Sequence, residues 1–244
     1  MNKEISNLEN QIILWFHEEL IPFWLKNGID YANGGFVEEF DINGPIKKAK
    51  RTRVTCRQIY VYSLFYELTR DNKLLEIIDH GASFLFENLK LEDNLFVYSK
   101  NLETNKLNQN CYLYEQSFAL YAISYIYKYS KKMRYEALDL GDKLINIIQR
   151  KWGFSNSEIH KAGHKKINSD PYMHLFEALQ IWYEISLSSR DEEYLINLRN
   201  HVEAIINQTL INFISNGFIA EEFEFFDKKN NLKNKIFEPG HQFE

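Results

Sequence analysis

An internal repeat of about 60 residues constrains the fold of this chain more than any other feature of its sequence. Four times, a long helical segment is followed by a short polar turn that carries one phenylalanine: Phe36, Phe96, Phe154 and Phe218. These phenylalanines are 60, 58 and 64 residues apart. Because a helix with its loop takes about half of that length, each repeat predicts a hairpin of two helices.

Hydrophobic periodicity places the two helices of each hairpin. The sequence predicts outer helices near 5–27, 73–90, 132–151 and 191–214, and inner helices near 54–70, 111–129 and 171–187. The segment 111–129 has few polar positions, which indicates a helix buried on most sides, whereas the segment 73–90 is amphipathic. Inner helices ringed by outer ones predict an all-α fold, an (α/α)6 toroid-type barrel of helical hairpins. A TIM barrel is disfavoured because no Val/Ile-rich strands alternate with the helices.

The length of the chain is short for the ring that its repeat predicts. Six hairpins need about 360 residues at this period, and the 244 residues hold about four of them. We therefore expect one α/α-barrel domain over 1–244, truncated where Pro239 and Gly240 begin the eighth helix, with apolar faces exposed where helices are missing. A fragment or truncated product is the favoured interpretation, and closure of the ring by oligomerisation, for example as a homodimer, is the alternative.

Composition and charge exclude several classes of protein. The formal net charge of −5 argues against nucleic acid as a partner. Neither a signal peptide nor a membrane span is predicted, since the apolar stretches are too short for either. Two cysteines favour a reducing compartment, so we expect a cytoplasmic protein. A nucleotide-hydrolysing enzyme has no support because the sequence lacks a Gly-rich phosphate loop.

The register of the repeats also predicts a candidate functional site. Counting 19 to 23 residues from each turn phenylalanine leads to a polar side chain at the start of the next inner helix: Arg57, Glu115, His174 and His241. Inner helices in this register would point all four side chains at one central cavity. A pocket lined by aromatic side chains with a few convergent polar groups is typical of a ligand site.

Other reactive side chains have simpler interpretations. His160 and His164 could be half of a metal site, but they lie in a Lys-rich stretch without a third ligand, and no metal is predicted. Cys56 and Cys111 are interpreted as small buried residues, since neither has a histidine beside it in a recognisable pattern. The basic run over 47–53 is either a solvated loop or a means of drawing anionic substrates towards the cavity.

Five segments that surround these positions follow one another in a recognisable order. They are 33–36 (Asn-Gly-Gly-Phe), 55–60 (Thr-Cys-Arg-Gln-Ile-Tyr), 113–120 (Leu-Tyr-Glu-Gln-Ser-Phe-Ala-Leu), 170–178 (Asp-Pro-Tyr-Met-His-Leu-Phe-Glu-Ala) and 238–244 (Glu-Pro-Gly-His-Gln-Phe-Glu). Together they resemble the N-acylglucosamine 2-epimerase superfamily, which includes cellobiose 2-epimerases and mannose isomerases. The resemblance implies an (α/α)6 barrel and a reaction at C1 and C2 of a reducing sugar that needs neither metal nor cofactor.

The same resemblance implies roles for three catalytic side chains. His241 looks like the base that abstracts the C2 proton, and His174 like the residue that assists proton transfer at the sugar oxygens. Arg57 looks like the donor that binds the oxyanion. In the family a second catalytic histidine comes from beyond position 244, and no histidine of this chain matches it.

Five further residues are predicted to bind substrate. Tyr114 would line the pocket, with Glu115 and Gln116 at its edge, and Glu244 would orient the sugar or the catalytic base. Asp170 departs from the family, since many members carry Asn at this place. An acid here could alter the recognition of sugar hydroxyls or the protonation of the histidine four residues on.

These assignments suit the chemistry. The proton alpha to an aldehyde is weakly acidic, so a base that works near neutral pH must remove it while donors stabilise the enediolate. The sequence thus predicts an isomerase, a sugar 2-epimerase or aldose-ketose isomerase that acts through a cis-enediol(ate). The basic run keeps a mannose-6-phosphate isomerase-like activity on a sugar phosphate as an alternative. The absent second histidine and the open ring keep a non-catalytic sugar-binding or interaction fragment as another.

Overall fold

Helices form most of the structure, as the hydrophobic periodicity predicts. The computed structural model describes residues 2–46, 48–215, 217–224 and 237–238. Its helices are α1 (Asn2–Trp15), α2 (Ile21–Asn27), α3 (Thr52–Thr69), α4 (Lys73–Asn88), α5 (Leu113–Tyr129), α6 (Arg134–Trp152), α7 (Asn156–Lys161), α8 (Ser169–Ser186) and α9 (Glu192–Asn212). Within the described ranges, no helix combines the length and the apolar character that a membrane span requires.

The first predicted helix, over 5–27, is interrupted. Residues Phe16–Leu20 form a turn of π-helix between α1 and α2, in which the amide of Ile21 donates to the carbonyl of Phe16. Pro22 stands in the first turn of α2 and has no N–H to donate. The wider turn carries the chain past a position where an α-helical hydrogen bond cannot form.

Three inner helices lie side by side, and each packs against one outer helix. Helix α5 packs between α3 and α8, while α4, α6 and α9 cover α3, α5 and α8 in turn. Most positions of α5 are buried, as its sequence predicts. The described hairpins therefore form an arc of the (α/α)6 barrel, and the starts of the three inner helices meet at one end of it.

The turn phenylalanines anchor the repeats in the core. Phe36, Phe96 and Phe154 are at most 1% exposed. Phe36 lies against Gly81 of α4 so closely that a Cβ atom on this glycine would come within 2.4 Å of the ring. Phe218 differs, since it is 56% exposed. The first three repeats are therefore packed around their aromatic anchors, whereas the Phe218 ring is largely exposed.

Short antiparallel strands join the loops, and the sequence did not predict them. They are β1 (Glu39–Asp41), β2 (Gly44–Ile46), β3 (Ala49–Arg51), β4 (Ser99–Asn101), β5 (Leu107–Asn108), β6 (Lys166–Asn168), β7 (Ile214–Ser215), β8 (Phe218–Ile219) and β9 (Glu222–Glu224). The sheets pair β1 with β2, β3 with β4 and β5, β6 with β9, and β7 with β8. Strands of two or three residues are too short to show a period in the sequence. Two of the sheets connect successive repeats, because Arg51 faces Ser99 and Lys166 faces Glu224.

Large apolar side chains are exposed on the first and last helices of the arc. On α1, Leu8 and Trp15 are 59% and 47% exposed, and on α9, Leu210 and Ile211 are 53% and 70% exposed. The inner helices between them bury their apolar side chains far more completely. The two edges of the arc thus differ from its centre in the way that an open ring predicts.

Candidate active site

A cavity of about 1120 Å³ opens where the starts of α3, α5 and α8 meet. Residues of the strands β6 and β9 also line it. Among its lining side chains are four that the sequence predicts for the site: Arg57, Tyr114, Glu115 and Asp170. Helix N-termini carry unpaired amides and partial positive charge, so this end of the arc favours oxygen atoms that bear negative charge.

Arg57, Tyr114 and His174 form one cluster beside the cavity, although they come from three different helices. The guanidinium of Arg57 donates to the Tyr114 hydroxyl over 3.3 Å and lies 4.2 Å from the centre of the Phe118 ring. The imidazole of His174 lies 4.5 Å from the same ring and 5.4 Å from that of Tyr114. The register of the repeats therefore brings together two of the three predicted catalytic residues.

His174 is held by carboxylates at both ring nitrogens. Nδ1 lies 2.8 Å from Oε2 of Glu177, and Nε2 lies 3.3 Å from Oδ1 of Asp170. Burial alone would lower the pKa of His174, but the hydrogen bonds and negative charges of Asp170 and Glu177 outweigh it and raise the pKa to about 9. Both carboxylates therefore favour the protonated form of the ring.

Glu115 occupies the corresponding position on α5 in a different setting. Its side chain is 1% exposed, and Oε1 lies 3.8 Å from Nη1 of Arg53. The other carboxylate oxygen has no hydrogen-bond partner among the described residues. Burial raises the pKa of Glu115 against the weaker effect of the Arg53 charge. Arg53 itself lies 5.4 Å from the ring centres of both Tyr98 and Tyr114.

Gln116, predicted at the edge of the pocket, points into the protein instead. Its amide oxygen accepts from the Phe96 amide over 2.9 Å, and its amide nitrogen donates to the Phe96 carbonyl over 2.8 Å. The side chain is fully buried. Gln58 of α3 makes a similar bond, 2.7 Å long, to the carbonyl of Val37. Gln116 thus ties the turn aromatic Phe96 to α5, and Gln58 ties the residue after Phe36 to α3. Gln116 is not among the described residues that line the cavity.

Two predicted site residues, His241 and Glu244, lie outside the described residues. Their assignment as base and orienting group stays a prediction. Two members of the described cluster were missed by the sequence interpretation. Glu177 stands three residues after His174 on the same helix, a spacing that predicts contact, and Phe118 lies within the segment 113–120.

The remaining reactive side chains lie outside this cluster. His164 reaches the cavity wall, where Nε2 lies 2.8 Å from the Lys151 carbonyl, while His160 is exposed. Within the described part of the chain, no three His, Cys, Asp or Glu side chains are grouped to hold a metal ion. Cys56 is fully buried and Cys111 is half-buried, and burial raises the pKa of both thiols.

Cellobiose 2-epimerases and a mannose isomerase are among the known proteins of similar sequence or fold. A cellobiose 2-epimerase from Dictyoglomus turgidum is 28% identical over 151 residues, which make up 60% of this chain and 38% of that protein. The structure of a cellobiose 2-epimerase from Spirochaeta thermophila superposes with a TM-score of 0.76 and 17% identity over 91% of this chain and 58% of its own. A D-mannose isomerase gives a TM-score of 0.70 at 16% identity, covering 88% of this chain and 55% of its own.

These comparisons agree on the fold of the chain and on the share of each relative that it covers. The two solved structures have the fold of this chain, and the chain spans between 38% and 58% of the length of these relatives. The sequence profile of one family, N-acylglucosamine 2-epimerase, matches residues 34–244, which include all five segments named above except for Asn33. The chain belongs to the N-acylglucosamine 2-epimerase family.

Proposed function

We propose that this chain provides the active site of a sugar 2-epimerase or aldose-ketose isomerase that acts at C1 and C2 of a reducing sugar. One observation carries the proposal: Arg57 and His174, from two inner helices, contact the same Phe118 ring beside a large cavity. The family to which the chain belongs and the names of its relatives support the same reaction class.

The reaction begins with the open-chain form of the sugar, in which the C2 proton lies alpha to an aldehyde. Removal of this proton by a base moves negative charge onto O1 and forms a cis-enediolate. Arg57 suits that oxygen, because a guanidinium is always charged and offers several N–H donors in a fixed plane. His174 lies beside the same Phe118 ring, with its ring centre 4.5 Å away.

The base in this proposal is His241, on the strength of the resemblance described above. An imidazole of ordinary pKa, near 6.5, is well matched to proton transfer at neutral pH. Return of the proton to C2 from the opposite face gives the epimer, and its return to C1 gives the ketose. The position of the group that returns the proton therefore decides between epimerisation and isomerisation.

The charges of the cavity favour a neutral sugar over a sugar phosphate. Apart from Arg57, the arginines and the lysine that line it face carboxylates: Arg51 is paired with Glu38, Lys166 lies 2.6 Å from Glu222, and Arg53 faces Glu115. Glu221 and Glu238 add further negative charge to the lining. A phosphate group would have to compete with these carboxylates for its cations.

Exchange with solvent tests the proposal directly. The 244-residue protein is incubated in deuterated water with cellobiose, glucose, mannose, N-acetylmannosamine or mannose 6-phosphate, and each sugar is examined by NMR. We expect deuterium at C2 or C1 of at least one neutral sugar and none in methyl mannoside, which cannot open its ring. Absence of deuterium from all five sugars would contradict the proposal. Deuterium in mannose 6-phosphate alone would favour the sugar-phosphate alternative.

A further inference from the structure

The pair of carboxylates around His174 has a consequence for how this histidine takes part in the reaction. We propose that Asp170 and Glu177 form a clamp that keeps His174 doubly protonated, so that this histidine acts as a fixed cation and never as a base. Asp170 and Glu177 are then positioning residues. This inference rests on the proposed function for its role in catalysis, but the protonation state that it assigns can be measured without a substrate.

The geometry of α8 supplies the clamp. Asp170 stands one turn before His174 and Glu177 stands almost one turn after it, so both reach the ring from the same side of the helix. Each carboxylate faces a different ring nitrogen, at 3.3 Å and 2.8 Å. A neutral imidazole has only one N–H and can donate to only one of them. Both contacts are satisfied together only when both nitrogens carry a proton.

The groups that the neighbouring helices place around His174 and Asp170 do not reverse the effect of the two carboxylates. From α5, Tyr114 and Phe118 cover the ring with aromatic carbon. From α3, the Arg57 guanidinium lies against the Phe118 ring and its charge opposes the cation, whereas both carboxylates contact the imidazole directly. From α9, the side chains that meet Asp170 across a small cavity are uncharged, namely Ile205, Ile206, Thr209 and Leu210.

The clamp changes the predicted roles of two residues. A histidine that is already doubly protonated cannot remove the C2 proton, so it contributes charge and a preorganised donor to the enediolate. Asp170, which the sequence assigns to substrate binding, lines the cavity and also directs an oxygen at the histidine. An acid at this position adds the negative charge that a neutral amide would lack.

Titration of the imidazole by NMR tests the clamp. Histidine side chains are labelled with ¹⁵N in the 244-residue protein, and the His174 signals are identified by their loss in His174→Gln. We expect both ring nitrogens of His174 to keep the chemical shifts of imidazolium at pH 7 and to titrate near pH 9. Asp170→Asn and Glu177→Gln should each lower the midpoint by about one unit, and the double variant should lower it further.

Glu184→Gln is the matched control. Glu184 is an exposed glutamate on the same helix, two turns beyond Glu177, so the substitution removes the same charge away from the ring. Its midpoint should equal that of the unchanged protein. A His174 midpoint near 6.5 in the unchanged protein, or a midpoint that neither clamp variant moves, would overturn the inference. If His174 titrates near 9 while no sugar exchanges deuterium, the clamp stands and the proposed function fails.

Discussion

Glu115 and His174 lie near the starts of the neighbouring inner helices α5 and α8, but their surroundings have opposite effects on charge. The Glu115 carboxylate is buried with one cation at 3.8 Å, and burial raises its pKa towards the neutral form. The His174 ring is held by two carboxylates, which raise its pKa to about 9 and favour the charged form. The repeat determines where a side chain stands, whereas its nearest partners determine its charge.

The largest effect on catalysis is expected from the loss of the Arg57 guanidinium. Arg57→Lys keeps the charge but removes the planar arrangement of donors that faces both Tyr114 and the cavity. We expect the rate of deuterium exchange at C2 to fall by about 10²- to 10³-fold. The control is Arg134→Lys, because Arg134 lies 4.5 Å from the Tyr127 ring centre on the outer helix α6. An exchange rate that drops equally in both variants would argue for a general loss of structure.

Removal of the cation at position 174 should have the next largest effect. His174→Gln keeps a polar side chain but cannot carry charge, and we expect exchange to slow by about 10²-fold. In the unchanged protein, the rate should fall as the pH rises through about 9, because the imidazolium is then lost. His17→Gln changes an exposed histidine of the outer π-helical turn and should leave the rate unaltered. A rate that is insensitive to His174→Gln would remove this residue from the mechanism.

Gln116, next to Glu115, should matter for stability. Gln116→Leu leaves the amide and the carbonyl of Phe96 without their partner in the core. We expect the free energy of unfolding to fall by about 2 kcal/mol, measured by urea denaturation. Gln180→Leu, at an exposed site of α8, should change it little. Equal stability of the Gln116 variant and the unchanged protein would show that these two hydrogen bonds contribute nothing to the free energy of unfolding.

The smallest effect is expected at Glu115 itself, and it sharpens the contrast with His174. The raised pKa means that the folded state holds its proton more tightly than the unfolded state, so stability is lost as the pH rises above the ordinary value of 4.5. Glutamine does not ionise, so Glu115→Gln avoids this loss of stability. It should raise the free energy of unfolding by about 1 kcal/mol at pH 7. The gain should vanish below pH 4. A destabilised variant at pH 7 would show that the ion pair with Arg53 outweighs burial.

The hairpin architecture could be predicted because it rests on long periodic segments. The inner helices predicted over 54–70 and 111–129 are observed as Thr52–Thr69 and Leu113–Tyr129. The helix α7 and the strands escaped prediction, since they depend on a local capping box at Ser155 or on pairs of two to three residues. Segments of that length show no period of their own.

The site was predictable in part for the same reason. The register placed Arg57 and Glu115 on the cavity wall and His174 beside it. It could not show where Gln116 points, because successive residues of a helix face directions about 100° apart, and one step along α5 leads from the cavity to the core. Nor did it identify Glu177, whose importance depends on the rotamers of two side chains.

The central claim is that the starts of α3, α5 and α8 form one sugar site, and NMR titration of the 244-residue protein with a reducing sugar tests it most directly. With tyrosine and histidine rings labelled, we expect the signals of Tyr114 and His174 to shift together and to saturate as cellobiose or mannose is added. The signal of His17 should remain in place. Titrations in which Tyr114 and His174 stay unshifted with both sugars, or move no more than His17, would contradict the account.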